Sequence, residues 1–458
     1  MKNKERTSAM IAKLKSSKPV QAVQRSRAVV WLQGIHTFCG KNAFLIKIAL
    51  TLCYRLTLDL MYVIQLSPHY GYSGFTVSIF PLGYLASLLA VLAFSPFVVR
   101  LLGEDMPSSI LVSFINYLYF IPLTSYYACK GASSVFFAWS LLYWAVLLLL
   151  QYRLPILRLA PFPVKHLHTA MKLLTLGSIL LVFFISGRYT GFRLTFDLLN
   201  VYDIRTEALS YSIPTIFAYL LTMMTVTLSL LILYWLQKKK YVIVALLCVT
   251  YLFYFSIAAH KSVFFFLFLV LACWLLYREW MLRWLPGLLA LVPIVAILEE
   301  RLIGSIYLMA LFLRRMLYVP TSLGERFFQY FSDNPLNLAQ NGIMGNFSFD
   351  NIYSIDLPRL IGEYTRDVNL SANNGMLGQL FTDFPVPVGL LLLPLILVIC
   401  FRLLDLTAGN LGKKILLPFC LFYAVVFANS AWSVVLLTHG FLLACLLLYI
   451  FPKEVDLK

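Results

Sequence analysis

The residues best suited to chemistry in this chain are arginines, and they concentrate in one interval. Residues 299–384 contain no lysine, although lysine is frequent elsewhere in the chain. A guanidinium presents a planar fork of N–H donors that matches phosphate or carboxylate oxygens, and it stays charged at any physiological pH. The interval is therefore predicted to bind an anionic group. Its cations are Arg301, Arg314, Arg315, Arg326, Arg359 and Arg366.

Arg314 and Arg315 are adjacent, at the end of an apolar run and before Pro320. At the outer surface of a membrane such a pair could hold a diphosphate. Adjacent residues point to different faces of a helix, so one arginine is enough for this role. The other is expected to pair with an acid, either Glu299 or Glu300.

Other polar residues extend the candidate site. The segments "QNGIMGNFSFDN" and "SANNGMLG" are rich in Gly and Asn, whose amides bind sugar hydroxyls, although ordinary loop structure explains the same composition. The turn "AAHKS" places His260 and Lys261 between two apolar runs, where charged groups are functional candidates unless the lysine simply snorkels to the surface. The candidate substrate-binding residues are Arg314, His260, Arg359, Arg366, Asn373, Asn374 and Asp350.

Composition decides the class of protein that must position these residues. The chain has 458 residues, of which 61% are hydrophobic and only 12% charged, which predicts a polytopic membrane protein. The formal net charge of +17 comes from basic residues in short loops between apolar runs, as in membrane proteins, and not from a nucleic-acid-binding surface. The eight cysteines form no C-x-x-C pair, so neither a disulfide framework nor a metal site is predicted.

The first 42 residues carry nine Lys and Arg residues and one acid, Glu5, before any long apolar run. This pattern predicts a cytoplasmic tail and not a cleavable signal peptide. Two interpretations of the tail stay open, one in which it only sets the topology and one in which it lies on the anionic inner leaflet. Residues 43–458 are then a single transmembrane domain.

About twelve apolar runs are long enough to cross a bilayer as helices. With the tail inside, the lysine-rich loops all fall on the cytoplasmic side, both termini are cytoplasmic, and residues 300–383 form one large outer loop with short helices. The predicted spans are 44–65, 76–98, 108–127, 133–151, 169–187, 214–236, 241–258, 263–277, 284–299, 385–402, 415–430 and 433–451.

A second outer loop, residues 188–212, mixes charge with aromatic residues in "FDLLNVYDIR". Its charged residues Arg193, Asp197, Asp203 and Arg205 are typical of an interfacial helix that presents charge inward. An amphipathic connector resting on the headgroups accounts for the pattern equally well. No P-loop, H-E-x-x-H, G-x-S-x-G or dinucleotide-binding motif is present.

Taken together, these features resemble the Wzy-type oligosaccharide repeat-unit polymerases, which include O-antigen, common-antigen and capsule polymerases. The resemblance covers residues 44–451. It is carried by the order of four degenerate segments: "NVYDIR" before a span, "AAHKSVFF" at a short outer turn, "RRMLYVP" with "FFQYF" opening the long outer loop, and "NNGMLGQLFTDFPVPVGLLL" closing it.

This resemblance implies a GT-C-like glycosyltransferase of the bacterial inner membrane that uses undecaprenyl-pyrophosphate-linked glycans as donor and acceptor. It points to Arg315, Arg205 and Lys261 as the basic residues that face the active cavity. The candidates for the proton acceptor are Asp350, Asp356, Glu363 and His439. No metal or other cofactor is implied, since arginines can stabilise the leaving group. A chain-length regulator and a flippase are the implied protein partners.

Two other functions compete with this interpretation. An O-antigen ligase has the same topology and large outer loop but transfers glycan to a lipid A core. A polysaccharide flippase also has about a dozen spans, but it should have short loops on both faces and a cationic cavity spread along many helices. The arginine-only outer loop favours the polymerase.

The predicted topology can be tested by cysteine labelling. A cysteine replacing Ser348 should react with a membrane-impermeant maleimide in intact cells, because residues 300–383 are predicted outside. A cysteine replacing Ser16 should react only after the membrane is opened. Labelling of the Ser348 position only after opening would reverse the topology.

Overall fold

The structure is a computed structural model that describes residues 42–160, 166–195, 204, 206–208, 210–258, 260–336, 352–365 and 372–451. Every secondary-structure element in these residues is helical, so the predicted all-α class is confirmed. The α-helices are α1 (Ala43–Met61), α2 (Ser67–Tyr70), α3 (Pro81–Leu101), α4 (Pro107–Ile115), α5 (Ile121–Lys130), α6 (Ser134–Arg153), α7 (Leu167–Ile185), α8 (Thr215–Thr222), α9 (Met224–Gln237), α10 (Tyr241–Ala258), α11 (Lys261–Leu276), α12 (Glu279–Arg283), α13 (Leu285–Ile303), α14 (Val319–Asp333), α15 (Leu357–Tyr364), α16 (Met376–Thr382), α17 (Val386–Ala408), α18 (Lys413–Asn429), α19 (Trp432–Leu436) and α20 (Phe441–Tyr449).

Four π-helical segments and one 3₁₀ turn complete the described elements. The π-helix Leu308–Tyr318, named here the outer π-helix, runs directly into α14. Such wide turns are uncommon and often occur at functional sites. The others are Tyr62–Leu66, Asn116–Phe120 and Ser186–Thr190, and the 3₁₀ turn is Gly71–Ser73.

Each of the twelve predicted spans overlaps described helix. By length and composition six helices can cross a membrane, and a seventh is obtained if α8 and α9, which meet at a 46° bend, form one span. The chain is therefore an α-helical, membrane-embedded protein. The six are Pro81–Leu101, Pro107–Lys130, Ser134–Arg153, Leu167–Thr190, Val386–Ala408 and Trp432–Tyr449.

Helix α3 shows how these helices divide their faces. Leu82, Leu85 and Leu89 recur at helical spacing and are 67%, 53% and 56% exposed. On the opposite face Ser87 and Ala90 are buried, and such small residues let neighbouring helices approach closely. Large apolar side chains outside and small ones inside are the arrangement expected of a helix in lipid.

The helix from Pro107 to Lys130 is the axis of the bundle. The apolar window of this helix is buried throughout, whereas in the other candidate spans fewer than half of the window's residues are buried. Its first part, α4, packs against α17 and α18, and its last part, α5, packs against α1 and α3. The remaining helices are thus arranged around one central helix.

A buried ion pair joins the outer half of this central helix to its neighbours. Arg55 and Asp59, one turn apart on α1, form the pair, and Arg55 is completely buried. The Arg55 guanidinium also donates to the hydroxyl and carbonyl oxygens of Thr124 on α5, both at 2.8 Å, and to the hydroxyl of Ser87 on α3 at 3.1 Å. The charge on α1 therefore binds three helices together.

The acid of this pair extends the network towards the outer loop. Asp59 accepts hydrogen bonds from Tyr84 of α3 at 2.8 Å and from Ser125 of α5 at 2.6 Å. Ser125 in turn lies 2.9 Å from the hydroxyl of Tyr318, which donates to the carbonyl of Leu58. Because Tyr318 ends the outer π-helix, the same network holds that helix against the bundle.

A second buried network holds the other end of the central helix. Asp405 of α17 is completely buried and accepts hydrogen bonds from the amide and hydroxyl of Ser108 at 2.8 and 2.6 Å. Arg402 pairs with the same carboxylate at 2.8 Å, and Gln151 of α6 donates to Ser108. This network joins α4, α6 and α17.

The Arg55–Asp59 pair gives a stability prediction. Arg55→Leu should leave the Asp59 carboxylate buried without its cation, which costs on the order of 3–5 kcal/mol, whereas Arg55→Leu/Asp59→Leu should recover part of the loss. The measurements are the yield of monodisperse protein in detergent and its thermal midpoint. Arg153→Leu, which removes an exposed cation, is the control and should change stability by about 0.5 kcal/mol or less. A double variant less stable than Arg55→Leu would contradict the assignment.

Candidate functional site

The outer π-helix begins at a capping carboxylate. Glu299, near the end of α13, accepts hydrogen bonds from the hydroxyl of Ser305 at 2.7 Å and from the amides of Tyr307 and Leu308, both at 2.9 Å. A carboxylate at this position satisfies free N–H groups and stabilises the positive end of the helix dipole. Glu299 therefore fixes the angle at which the chain turns from α13 into the outer π-helix.

The neighbouring acid holds α13 against the end of the first span. Glu300 accepts hydrogen bonds from His69 and Gln65, each at 2.8 Å. The hydrogen bond from His69 holds the pKa of the Glu300 carboxyl below its ordinary value. Both acids are thus engaged elsewhere, and the expectation that one of them pairs with Arg314 or Arg315 is wrong.

The geometry of the outer π-helix decides which residues share a face. Residues four apart along this helix lie on the same face. Met309, Leu313 and Leu317 are buried against the bundle. On the other side Tyr307 is 68% and Leu311 48% exposed, and Arg315 continues this exposed row. Arg315 therefore ends an exposed row that is otherwise apolar and aromatic.

Arg315 has a different status from the acids Glu299 and Glu300, which are both engaged. Within the part of the chain that the structure describes, its exposed guanidinium makes no ion pair or hydrogen bond. An arginine whose only role is to hold the fold would need a carboxylate or carbonyl. The described contacts leave the Arg315 fork available to a group from outside the protein.

Arg314 points elsewhere and has a different environment. Its guanidinium lies over the ring of Tyr70, 4.0 Å from the centroid. Its Nε atom is buried and has no hydrogen-bond partner among the described residues. Cation–π contact orients this arginine without neutralising it. The prediction that the two arginines face different ways is confirmed.

Helix α14 continues the outer π-helix and is anchored by a buried acid. Glu325 pairs with Lys130 and accepts hydrogen bonds from Tyr126 at 2.7 Å and from the amide of Ser133 at 3.0 Å. The next residue, Arg326, donates to the carbonyl of Ser73 at 3.0 Å. These contacts fix α14 to the end of the central helix, so Arg326 has a positioning role.

A second group of polar residues lies near the end of α18 and the break between α19 and α20. His439 and Ser430 approach to 3.2 Å between Nε2 and the hydroxyl. His260, at the start of α11, is close enough for its charge to act on His439. These three residues are named here the histidine cluster. Lys261, the next residue along, is half-buried at the first position of α11.

The end of the large outer loop packs against this cluster. Gly375 lies so close to α18 that an added Cβ would stand 1.9 Å from the carbonyl oxygen of Ala428. Gln379 of α16 accepts a hydrogen bond from the amide of Trp432 at 2.9 Å. Asn374 is buried and donates to Thr382 at 3.4 Å, whereas Asn373 is exposed. Sequence reasoning missed Ser430, which lies in the short turn after Asn429, and Gln379, a lone polar residue in "MLGQLF".

The remaining residues predicted for the site make no described contact with Arg315 or with the histidine cluster. Arg359 is exposed on α15, which packs against α14. Arg205, Asp350 and Arg366 lie outside the described residues, and so do Asp197 and Asp203. No described contact connects Arg315 with Lys261.

The second outer loop contains an ion pair at the surface. Arg193 donates to Glu207 at 2.6 Å, and Tyr211 donates to the same carboxylate at 2.7 Å. The hydrogen bond that Arg193 donates to Glu207 lowers the pKa of Glu207 and raises the pKa of Arg193. Arg193 is thus used to close its own loop.

The described residues contain no group of three or more His, Cys, Asp or Glu side chains that could hold a metal ion. Comparisons with family models, with curated proteins and with solved structures give no match for this chain. The chemistry of the site must therefore be argued from its own residues.

The close approach at Gly375 gives a prediction about the site's framework. Gly375→Ala should push α16 away from α18 and destabilise the protein by about 1–3 kcal/mol, because the neighbouring atom is backbone and cannot move aside. Thermal unfolding in detergent measures the change. Gly71→Ala is the matched control, since nothing lies within 4 Å of its added Cβ. Equal stability of the two variants would contradict the tight packing.

Proposed function

We propose that this chain is an integral membrane glycosyltransferase that joins undecaprenyl-pyrophosphate-linked oligosaccharide repeat units into a surface polysaccharide. The reaction takes place at the outer face of the bacterial inner membrane. The observation that carries the proposal is Arg315, an exposed arginine with no ion-pair or hydrogen-bond partner among the described residues, at the end of the apolar row formed by Tyr307 and Leu311. A cation beside apolar side chains suits a phosphate attached to a long lipid.

The topology in this proposal is GT-C-like, with about twelve spans and both termini in the cytoplasm. Support comes from the overlap of all twelve predicted intervals with helix. Helices α1 and α13 fall short of an ordinary span because each carries three charged residues, and α10, α11 and α18 are slightly short. Charged residues within spans are costly and are commonly retained for function or for buried pairing.

The proposed chemistry is glycosyl transfer to a hydroxyl. The anomeric C–O bond to the donor pyrophosphate breaks, the pyrophosphate leaves with its lipid, and the growing chain is joined to the non-reducing sugar of the next repeat. Fixed guanidinium groups stabilise the negative charge that grows on the leaving group. Arg315 is assigned this role, with Arg205 and Lys261 as further cations and Arg314 beside the lipid phosphate.

Arg315 provides the test of the proposal. In membranes supplied with lipid-linked repeats, Arg315→Ala should abolish long-chain product and let single repeats accumulate, with a loss in rate on the order of 10²–10³. Arg315→Lys should rescue poorly, because an ammonium cannot make the bidentate contact. Arg283→Ala, which removes an exposed arginine from the predicted inner side, should polymerise normally.

The product distinguishes the competing functions. Long chains on undecaprenyl pyrophosphate support a polymerase. Transfer of glycan to lipid A core would identify a ligase, and movement of lipid-linked repeats across the bilayer without any transfer would identify a flippase. If Arg315→Ala is present in normal amounts and still makes full-length polymer, Arg315 does not stabilise the leaving group. Arg314 is then the next candidate for that role.

A further inference from the structure

His439 lies in an interruption of the last helix. Helix α19 ends at Leu436, α20 begins at Phe441, and between them Gly440 adopts a left-handed conformation with φ of +69°. A side chain there would also meet Val226 of α9, 3.2 Å from the added Cβ. Within a membrane, backbone that is not helical is tolerated only where protein covers it or where it lines a water-filled cavity.

The surroundings of His439 hold its ring in one orientation. Its amide donates to the carbonyl of Val434 at 2.9 Å, and its carbonyl accepts from Tyr423 at 3.2 Å. Ser430 occupies the Nε2 side of the ring at 3.2 Å. The Nδ1 atom makes no hydrogen bond to any described residue, and the ring is partly exposed.

This arrangement matches what a proton acceptor requires. One ring nitrogen is held by a partner that fixes the orientation of the imidazole, and the other makes no hydrogen bond to a described residue. The titratable groups that face His439 are His260 from the start of α11 and Tyr423 from α18.

We propose that His439 accepts the proton of the attacking sugar hydroxyl, with Ser430 as its positioning residue; this inference rests on the proposed glycosyl transfer. The hydroxyl oxygen forms the new bond to the anomeric carbon as the carbon–pyrophosphate bond breaks. The hydroxyl proton passes to Nδ1 of His439, and the electron pair of the broken bond leaves with the pyrophosphate. The imidazolium then releases its proton to water, which restores the neutral ring.

The described alternatives fit this role less well. Asp356 and Glu363 are exposed on α15 and make no described contact with the histidine cluster. A carboxylate surrounded by water is not held in a fixed direction towards a bound hydroxyl. His439 is the one candidate among the described residues whose ring is both oriented by the protein and partly accessible.

The test compares variants in the lipid-linked repeat assay across pH 3.5 to 9. His439→Gln should accumulate normally and lose about 10²- to 10⁴-fold in kcat with little change in KM. The wild-type rate should fall at acidic pH, where the imidazole is protonated, and the residual activity of His439→Gln should lack this acidic limb. His166→Gln, at the exposed start of α7, is the matched control and should keep both rate and profile.

Two further variants separate a chemical role from a structural one. His260→Gln leaves His439 and Ser430 in place, so the acidic limb should remain if His439 is the group that titrates. Ser430→Ala should lower kcat about tenfold and keep the limb, with rescue by Ser430→Thr, as expected of a residue that only orients the ring. If His439→Gln fails to accumulate, the pH profiles of these two variants decide whether His439 accepts the proton.

The outcomes for this inference and for the proposed function are distinct. The role of His439 would be overturned if the wild-type protein makes polymer and His439→Gln keeps either its rate or its acidic limb. The proposed polymerase activity would be unaffected by that result. Loss of the acidic limb in His260→Gln would overturn the role of His439 as well, because the titrating group would then be His260. Absence of any polymer from the wild-type protein would instead overturn the proposed function.

Discussion

The Arg55–Asp59 ion pair is the interaction on which the rest of this structure depends. Two opposite charges buried in a membrane-embedded bundle are costly unless each finds further partners, and a broken pair costs far more than an intact one. The partners come from α3, α5 and the outer π-helix. The positions of these helices are therefore coupled, and Tyr318 carries that coupling to the segment that presents Arg315.

The Asp405 network fixes the opposite end of the central helix. From Ser108 to Thr124 this helix rises about 24 Å, at about 1.5 Å per residue, which is close to the thickness of the hydrocarbon layer. Polar anchors at both ends and apolar packing between them define the depth and rotation of the helix. The outer elements, held through Tyr318 and Glu325, then rest on a rigid support. The binding of a charged lipid phosphate proposed for Arg315 would need such support.

The helices and the arginine-rich stretch could be predicted from the sequence, because apolar runs of sufficient length have few alternatives in lipid. The π-helical form of Leu308–Tyr318 could not be predicted, since the spacing of Tyr307, Leu311 and Arg315 also puts them on one face of an ordinary α-helix. Glu299 and Glu300 were assigned to the wrong partners because sequence proximity does not reveal a helix-capping role or a contact with His69. Similarly, Ser430 and His439 meet because α18 ends at Asn429 and the last span is broken between α19 and α20.

The two polar groups differ in charge, and that difference suits their proposed tasks. Arg315 offers a permanent positive charge at the end of an exposed row, where a lipid phosphate can reach it, whereas the histidine cluster is recessed at a break between helices and can gain or lose a proton. Stabilising a leaving group requires a charge that never changes, and accepting a proton requires one that does. Helix α16 connects the two regions, because it packs against α14 on one side and Gln379 binds Trp432 on the other. A shift of α16 would therefore move the two regions relative to each other, and the close contact at Gly375 keeps that helix in place.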